Sequence, residues 1–246
     1  MLLFPIGWWW CRSIDSLKTA DRLQNGLILI LPGIQGKSPI EFAVARGLAD
    51  ARIELGIEVF DWTTGLWPLF LFHLRASRRH QNMANKLAQR ITEYSNAYPD
   101  RPIFLIGHSG GAALSLFAAQ CLPPGKNLAA IFLLAPAVSP GFDYRSALQN
   151  TQSGIWNFYS PLDVLFLMLG TVCFGTIDGR LRCSAGAVGF RSPPQSTLKT
   201  QASLHQVCFS PRMMTSGNFG GHFGPTNRLF VADYLAPLIF AHTHLT

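Results

Sequence analysis

Three observations predict a parallel α/β sheet covered by helices on both faces. Leu27 to Leu31, LILIL, is a fully apolar run of strand length, the pattern of a strand with no solvent-facing side. Apolar runs of this kind alternate with helix-length amphipathic stretches along most of the chain. The third observation is the segment Ile103 to Gly111, IFLIGHSGG, in which an apolar run ends in Gly-x-Ser-x-Gly. That spacing marks a strand turning sharply into a helix.

Taken in order, the candidate strands are Leu27 to Leu31, Ile57 to Trp62, Ile103 to Ile106, Ala129 to Ala135, Ile155 to Tyr159 and Leu204 to Phe209. The candidate helices are Ile40 to Glu54, Arg78 to Ala97, Ala112 to Cys121 and Asn227 to Ala241. Val164 to Ile177 is apolar but shorter than a membrane span and reads as a buried helix. Arg180 to Thr200, rich in Gly, Pro and Ser, reads as a loop. A chain of 246 residues without repeats or linkers is expected to form a single domain over 1–246, with 1–25 as an apolar amino-terminal extension. Met1 to Trp10, MLLFPIGWWW, lacks the basic start and the cleavage pattern of a signal peptide and is too short to span a bilayer.

The Gly-x-Ser-x-Gly spacing has a chemical reason. A serine at the tip of a strained turn projects its hydroxyl, and glycines two residues to either side remove Cβ atoms that would clash as the backbone doubles back. Gly107 and Gly111 fill those places around Ser109. The helix that starts there turns free N–H groups and a positive dipole end toward the hydroxyl, with Gly110 supplying the first N–H. Upstream, the LILIL strand feeds Pro32-Gly33-Ile34-Gln35-Gly36, a tight loop of the type that supplies a second oxyanion donor.

From about Gly26 to Phe240 the chain resembles the α/β-hydrolase superfamily. The resemblance rests on Gly107-His108-Ser109-Gly110-Gly111, on the strand and loop Leu31-Pro32-Gly33-Ile34, and on the order Ser, Asp, His. Many members have His where Pro32 stands. The resemblance implies a mostly parallel sheet of about six strands flanked by helices, reduced by the first two strands of the full family sheet. It also implies that Ile34 N–H is the second oxyanion donor, with Gln35 as the neighbouring candidate, and that the mechanism is that of a serine hydrolase.

If the family order holds, the acid lies between Ser109 and the base, where the chain offers Asp143, Asp163 and Asp178 and no Glu. Asp163 follows the apolar run Ile155 to Tyr159, where the resembled family usually carries its acid, and is the favoured choice. Asp143, in SPGFDY after the preceding strand, is the second candidate, and Asp178, in GTIDGR, reads as a turn residue beside Gly179. Of seven histidines, His73 and His80 precede the serine, and His108 sits within the turn with its side chain expected to point away from Ser109. His205 opens the expected last strand, and His242 and His244 fall in a tail expected to fray. His222 lies in the glycine-rich loop Phe219 to Pro225, between the last strand and the last helix, where the resembled family carries its base.

Together these readings make Ser109 the nucleophile, His222 the general base, Asp163 the acid that orients it, and Ile34 and Gly110 the oxyanion donors. The expected function is cleavage of a small-molecule carboxylic ester through an acyl-enzyme, of esterase or lipase type. An acyltransferase or thioesterase would use the same residues, and a non-catalytic, membrane-associated binding module on the same scaffold is the alternative from another class. No His, Cys or carboxylate spacing suggests a metal, and no cofactor is expected. The five cysteines, without a CxxC pair, read as free buried thiols and favour a cytoplasmic protein.

The net charge of +7 is mostly dispersed, which argues against a nucleic-acid groove. Its one cluster, Arg75, Arg78, Arg79 and His80, follows the apolar Leu66 to Leu74, LWPLFLFHL. That pair of features reads as a core segment with a solvated basic face, as an acyl-chain wall or small lid, or as a peripheral membrane contact.

Overall fold

A computed structural model describes residues 14–64, 76–191 and 202–243. The Met1 to Trp10 segment, the Leu66 to Leu74 segment with Arg75, Cys11, His244 and the end of the 180–200 loop lie outside the described residues. Six strands form one sheet: β1 (Leu27–Leu31), β2 (Gly56–Val59), β3 (Ile103–His108), β4 (Ala130–Leu134), β5 (Gly154–Tyr159) and β6 (Ser203–Cys208). Their order across the sheet is β2-β1-β3-β4-β5-β6, and every pairing is parallel. β1 is therefore an interior strand, between β2 and β3.

The unbroken apolar β1 follows from this position. Leu27, Leu29 and Leu31 pack into one core with Leu87 and Ile91 of helix α3 (Ser77–Ala97) and Leu114 and Leu116 of helix α4 (Gly110–Gln120), which is why the period-two alternation disappears. Ile28 and Ile30 pack into the opposite core with Val44 and Leu48 of helix α2 (Pro39–Asp50) and with Phe230, Leu235 and Ile239. Both faces of the strand are thus dry. The described part of the amino-terminal extension is held as well, with Ile14 buried and the short helix α1 (Ala20–Asn25) beneath β2.

Several boundaries move from their sequence-based positions. β2 stops at Val59 instead of reaching Trp62, because Trp62 leaves the ladder, is fully buried, and donates its indole N–H to the Pro32 carbonyl at 2.7 Å. α2 ends at Asp50 instead of Glu54, since Arg52 takes a positive φ of 59° and the Ile53 N–H turns back to the Leu48 carbonyl at 3.0 Å. The carboxy-terminal helix runs from Arg228 to Thr243 through a π-helical stretch, Val231–Leu235. His242 lies within it and packs on Trp156 with ring centroids 5.1 Å apart, so this part of the terminus is not frayed.

Three further expectations are corrected. Val164 to Ile177 is helical at Val164–Gly170, as a π-helix, and at Thr171–Phe174, but it is not buried. Leu165 is 67% exposed and Leu169 57%, and only Leu167 and Thr171 face the protein interior of these turns, because the segment crosses the rim of the sheet instead of covering a face. The cysteines are not a buried set: Cys173 and Cys208 are exposed, and Cys121 and Cys183 are half-buried, all as free thiols. Arg79 is not a solvated charge, since its guanidinium donates to the Trp62 and Thr63 carbonyls at 3.0 and 2.7 Å, and His80 beside it is buried. The 180–200 loop also holds one short helical turn, Ala185–Val188.

α2 begins with a capping box in which Glu41 Oε2 accepts from the Ser38 N–H at 2.7 Å and from the Ser38 hydroxyl at 2.8 Å. Glu41 is 1% exposed and its Oε1 has no hydrogen-bond partner among the described residues, and burial pushes its carboxyl up to about 7. A carboxyl whose folded pKa is raised holds a proton that the unfolded chain has released, so stability declines as pH rises from about 4.5 through 7. The shift corresponds to a loss of order 3 kcal/mol. Glu41→Gln is expected to keep the cap, match the wild type near pH 4.5 and exceed it at pH 8, as read from urea midpoints at the two pH values.

Candidate active site

β3 enters α4 through Ser109, whose φ of 53° and ψ of −115° are outside the regions open to most side chains. The surroundings force this turn. A Cβ at Gly107 would lie 2.5 Å from Ala112 Cα, and one at Gly111 would lie 2.7 Å from the Leu31 carbonyl carbon and nearer still to the Leu31 and Pro32 oxygens. The chain can double back only because both positions lack Cβ. Ser109 is then fixed through its backbone: its N–H donates to Leu134 O at 2.9 Å, and its carbonyl accepts from Ala112 and Ala137 at 3.2 and 3.1 Å.

The loop after β1 meets this turn. Gly36 N–H closes a tight turn onto Gly33 O at 3.1 Å, and the Trp62 indole holds Pro32. A Cβ built on Gly110 would lie 2.9 Å from Ile34 Cγ2 and 3.1 Å from the Trp62 ring, so Gly110 and Ile34 are direct neighbours. Gly110 heads α4, where its N–H has no intrahelical acceptor. Two backbone segments distant in sequence therefore converge beside Ser109.

Asp163 and His222, 59 residues apart, meet in a hydrogen bond of 2.6 Å from His222 Nδ1 to Asp163 Oδ2. Both are buried. Asp163 is held from its other side as the cap of the Val164–Gly170 helix, with Oδ1 accepting from Leu167 N–H at 3.3 Å. A carboxylate fixed at one oxygen presents the second in one direction, and that direction is His222. Occupation of Nδ1 leaves Nε2 as the ring nitrogen with base capacity. Ser109 and His222 line the same cavity of about 640 Å³, together with Ile34, Gln35, Leu165, Phe166 and Phe223.

The other acid candidates are engaged elsewhere. Asp143 is exposed and pairs with Arg145 at 2.6 Å, and Asp178 accepts from the Ser139 N–H at 2.9 Å. Asp178 thus tethers the turn that Gly179 closes, as its sequence context suggests. His205 stacks on Trp156 with centroids 4.4 Å apart and bonds Ser203.

Sequence reasoning missed the groups that surround the imidazole. Phe166 stacks on His222 at 4.8 Å between centroids, and Phe223 meets it edge-on at 5.1 Å. His108, whose side chain is expected to point away from Ser109, packs on the His222 ring at 4.8 Å and bonds the His222 carbonyl through Nε2 at 3.1 Å. Burial, reinforced by the neighbouring His222, pushes the His108 imidazole down to about 3, so it stays neutral with its proton on the donating Nε2. The residue before Ser109 thereby ties the end of β3 to the backbone of the loop that carries His222. Its position inside the Gly-x-Ser-x-Gly turn was the available signal.

No family model matches the chain. A stretch of 81 residues is 30% identical to monoglyceride lipase of Rattus norvegicus, covering 33% of this chain and 26% of that protein, so the chain matches about a quarter of that relative's length. Among solved structures, a poly(3-hydroxybutyrate) depolymerase from Bordetella parapertussis superposes with a TM-score of 0.56 at 16% identity, over 91% of this chain and 80% of that one. A dienelactone hydrolase from Anabaena variabilis superposes with a TM-score of 0.51 at 18% identity, over 88% and 86%.

Proposed function

The chain has the α/β-hydrolase fold, and on that premise we propose that it is a serine hydrolase that cleaves carboxylic esters of a small apolar acyl substrate through an acyl-enzyme. The observation that carries this reading is the 2.6 Å bond from His222 to Asp163, made on the wall of the cavity that also holds Ser109. The partial identity with a monoglyceride lipase supports an acyl ester as the substrate class. The cavity supports it too, since Leu165, Phe166, Phe174 and Phe223 surround Ser109 with apolar surface suited to an acyl chain.

In this mechanism Ser109 Oγ attacks the ester carbonyl carbon while His222 Nε2 takes its proton, and Asp163 stabilises the imidazolium. The carbonyl oxygen becomes an oxyanion facing the N–H groups of Gly110 and Ile34, each such donor being worth on the order of 3 kcal/mol. Collapse of the tetrahedral intermediate breaks the bond to the alkoxide, which takes the proton from His222. Water then attacks the acyl-Ser109 ester while His222 accepts its proton, and collapse of the second tetrahedral intermediate breaks the bond to Ser109 Oγ, which takes that proton back from His222 as the carboxylic acid leaves. His108 acts as a positioning residue through the His222 carbonyl.

Intact mass after treatment with a fluorophosphonate tests this reading. One adduct is expected on the wild type, mapping to Ser109, and none on Ser109→Ala. An adduct that persists in Ser109→Ala, or none on the folded wild type, would overturn it. Turnover of an ester with added alcohol or thiol distinguishes hydrolysis from acyl transfer, because the same acyl-enzyme serves both.

A further inference from the structure

The rim of the cavity carries an apolar surface that the chemistry of ester cleavage does not require. Leu162, Val164, Leu165, Leu169, Val172 and Leu181 are exposed, from 44% for Val172 to 67% for Leu165. Between Pro161 and Ile177 the only charged residue is Asp163, and it is buried against His222. A run of this kind on the outside of a protein marks a contact surface. It is continuous with the cavity, because Leu165 both lines the cavity and faces outward.

At the end of these turns the charge changes sign. Arg180 and Arg182 are both exposed on either side of Leu181, and neither has a carboxylate partner among the described residues. The Thr176 N–H donates to the Arg180 carbonyl at 2.9 Å and closes this turn, and Leu181 lies beside Gly175 at the end of the helical segment. Apolar side chains with flanking guanidinium groups match the two layers of a lipid surface, acyl region below and anionic headgroups above. A second copy of this chain on the same face would close the cavity mouth, whereas a lipid surface leaves it open to its substrate. Among the described residues no helix is long and apolar enough to cross a membrane, so the contact is a surface one.

We propose that the exposed face of Leu162 to Phe174, with Arg180 and Arg182 at its edge, docks the protein on an anionic lipid surface with the cavity mouth turned toward the lipid. This extends the acyl-ester reading to where the substrate is collected, but the docking itself needs no turnover. Co-sedimentation of the full chain, as wild type and as Ser109→Ala, with vesicles of phosphatidylcholine alone and of phosphatidylcholine with phosphatidylglycerol is therefore the test.

Both proteins are expected to bind the mixed vesicles. The double substitution Leu169→Glu, Val172→Glu, at side chains that do not line the cavity, should abolish binding and leave hydrolysis of a soluble short-chain ester unchanged. Arg180→Gln and Arg182→Gln should each weaken binding to the mixed vesicles by roughly fivefold and leave binding to pure phosphatidylcholine unchanged. Equal vesicle binding by the wild type and the double variant would overturn the proposal. So would absence of wild-type binding, arginine substitutions without effect, or a dimer in sedimentation equilibrium that the double variant dissolves. Vesicle binding by Ser109→Ala separates failure of the docking from failure of the catalytic reading.

Discussion

Asp163→Asn is expected to lower kcat for ester hydrolysis by roughly 10⁴-fold, whereas Asp143→Asn leaves it unchanged. Asn at 163 keeps a carbonyl oxygen for the Leu167 N–H, so the cap of the Val164–Gly170 helix survives. Its amide group then faces His222 Nδ1, which must become the acceptor. The ring proton moves to Nε2, and the imidazole loses the lone pair that receives the Ser109 proton. Asp143 is exposed and paired with Arg145 instead. Steady-state rates on a soluble ester, with thermal melts to establish folding, decide the matter. Comparable losses in both variants, or a loss confined to Asp143→Asn, would refute the assignment.

The second large effect is structural. Gly111→Ala replaces a poor helix former with the best one, a change that by helix propensity alone gains about 1 kcal/mol. Here the sign is expected to reverse, with a loss of roughly 3–5 kcal/mol in the urea midpoint series. The new Cβ would meet the Leu31 carbonyl carbon at 2.7 Å, and this atom belongs to the backbone of the interior strand β1, so it cannot swing aside as a side chain would. Relief requires the end of β1 to move, which carries Pro32 and Ile34 away from Gly110. Activity should therefore fall beyond what lost stability explains. Gly141→Ala, where a Cβ meets nothing within 4 Å, is the control and should change stability by no more than about 0.5 kcal/mol.

How far each feature could be read from the chain depends on the range of the physics behind it. The parallel sheet was legible because a strand buried on both faces must be apolar at every position, as β1 is. The turn at Ser109 was legible from its Gly-x-Ser-x-Gly spacing, in which Gly107 answers a local clash with Ala112, whereas the backbone of Leu31 and Pro32 that excludes a Cβ at Gly111 comes from a strand distant in sequence. The end of β2 was not, since Trp62 leaves the ladder for a carbonyl 30 residues away. The same limit applies to the proposed acid: sequence narrowed the candidates to three aspartates, and what favours Asp163 over Asp143 is that Asp143 has Arg145 two residues off, while Asp163 meets a histidine 59 residues distant.

By itself, then, the sequence determined the sheet, the helices on its two faces and the sharp turn at Ser109, because each follows from local backbone sterics and from apolar periodicity. Only the tertiary structure decided which apolar stretch stays in water. Val164 to Phe174 is as hydrophobic as the buried strands, but it crosses the rim, where Leu167 and Thr171 alone find an interior to enter. It also decided the role of His108, whose imidazole reaches the backbone of a residue 114 positions away. Burial and long-range hydrogen bonds depend on where the other elements leave space, which no local pattern encodes.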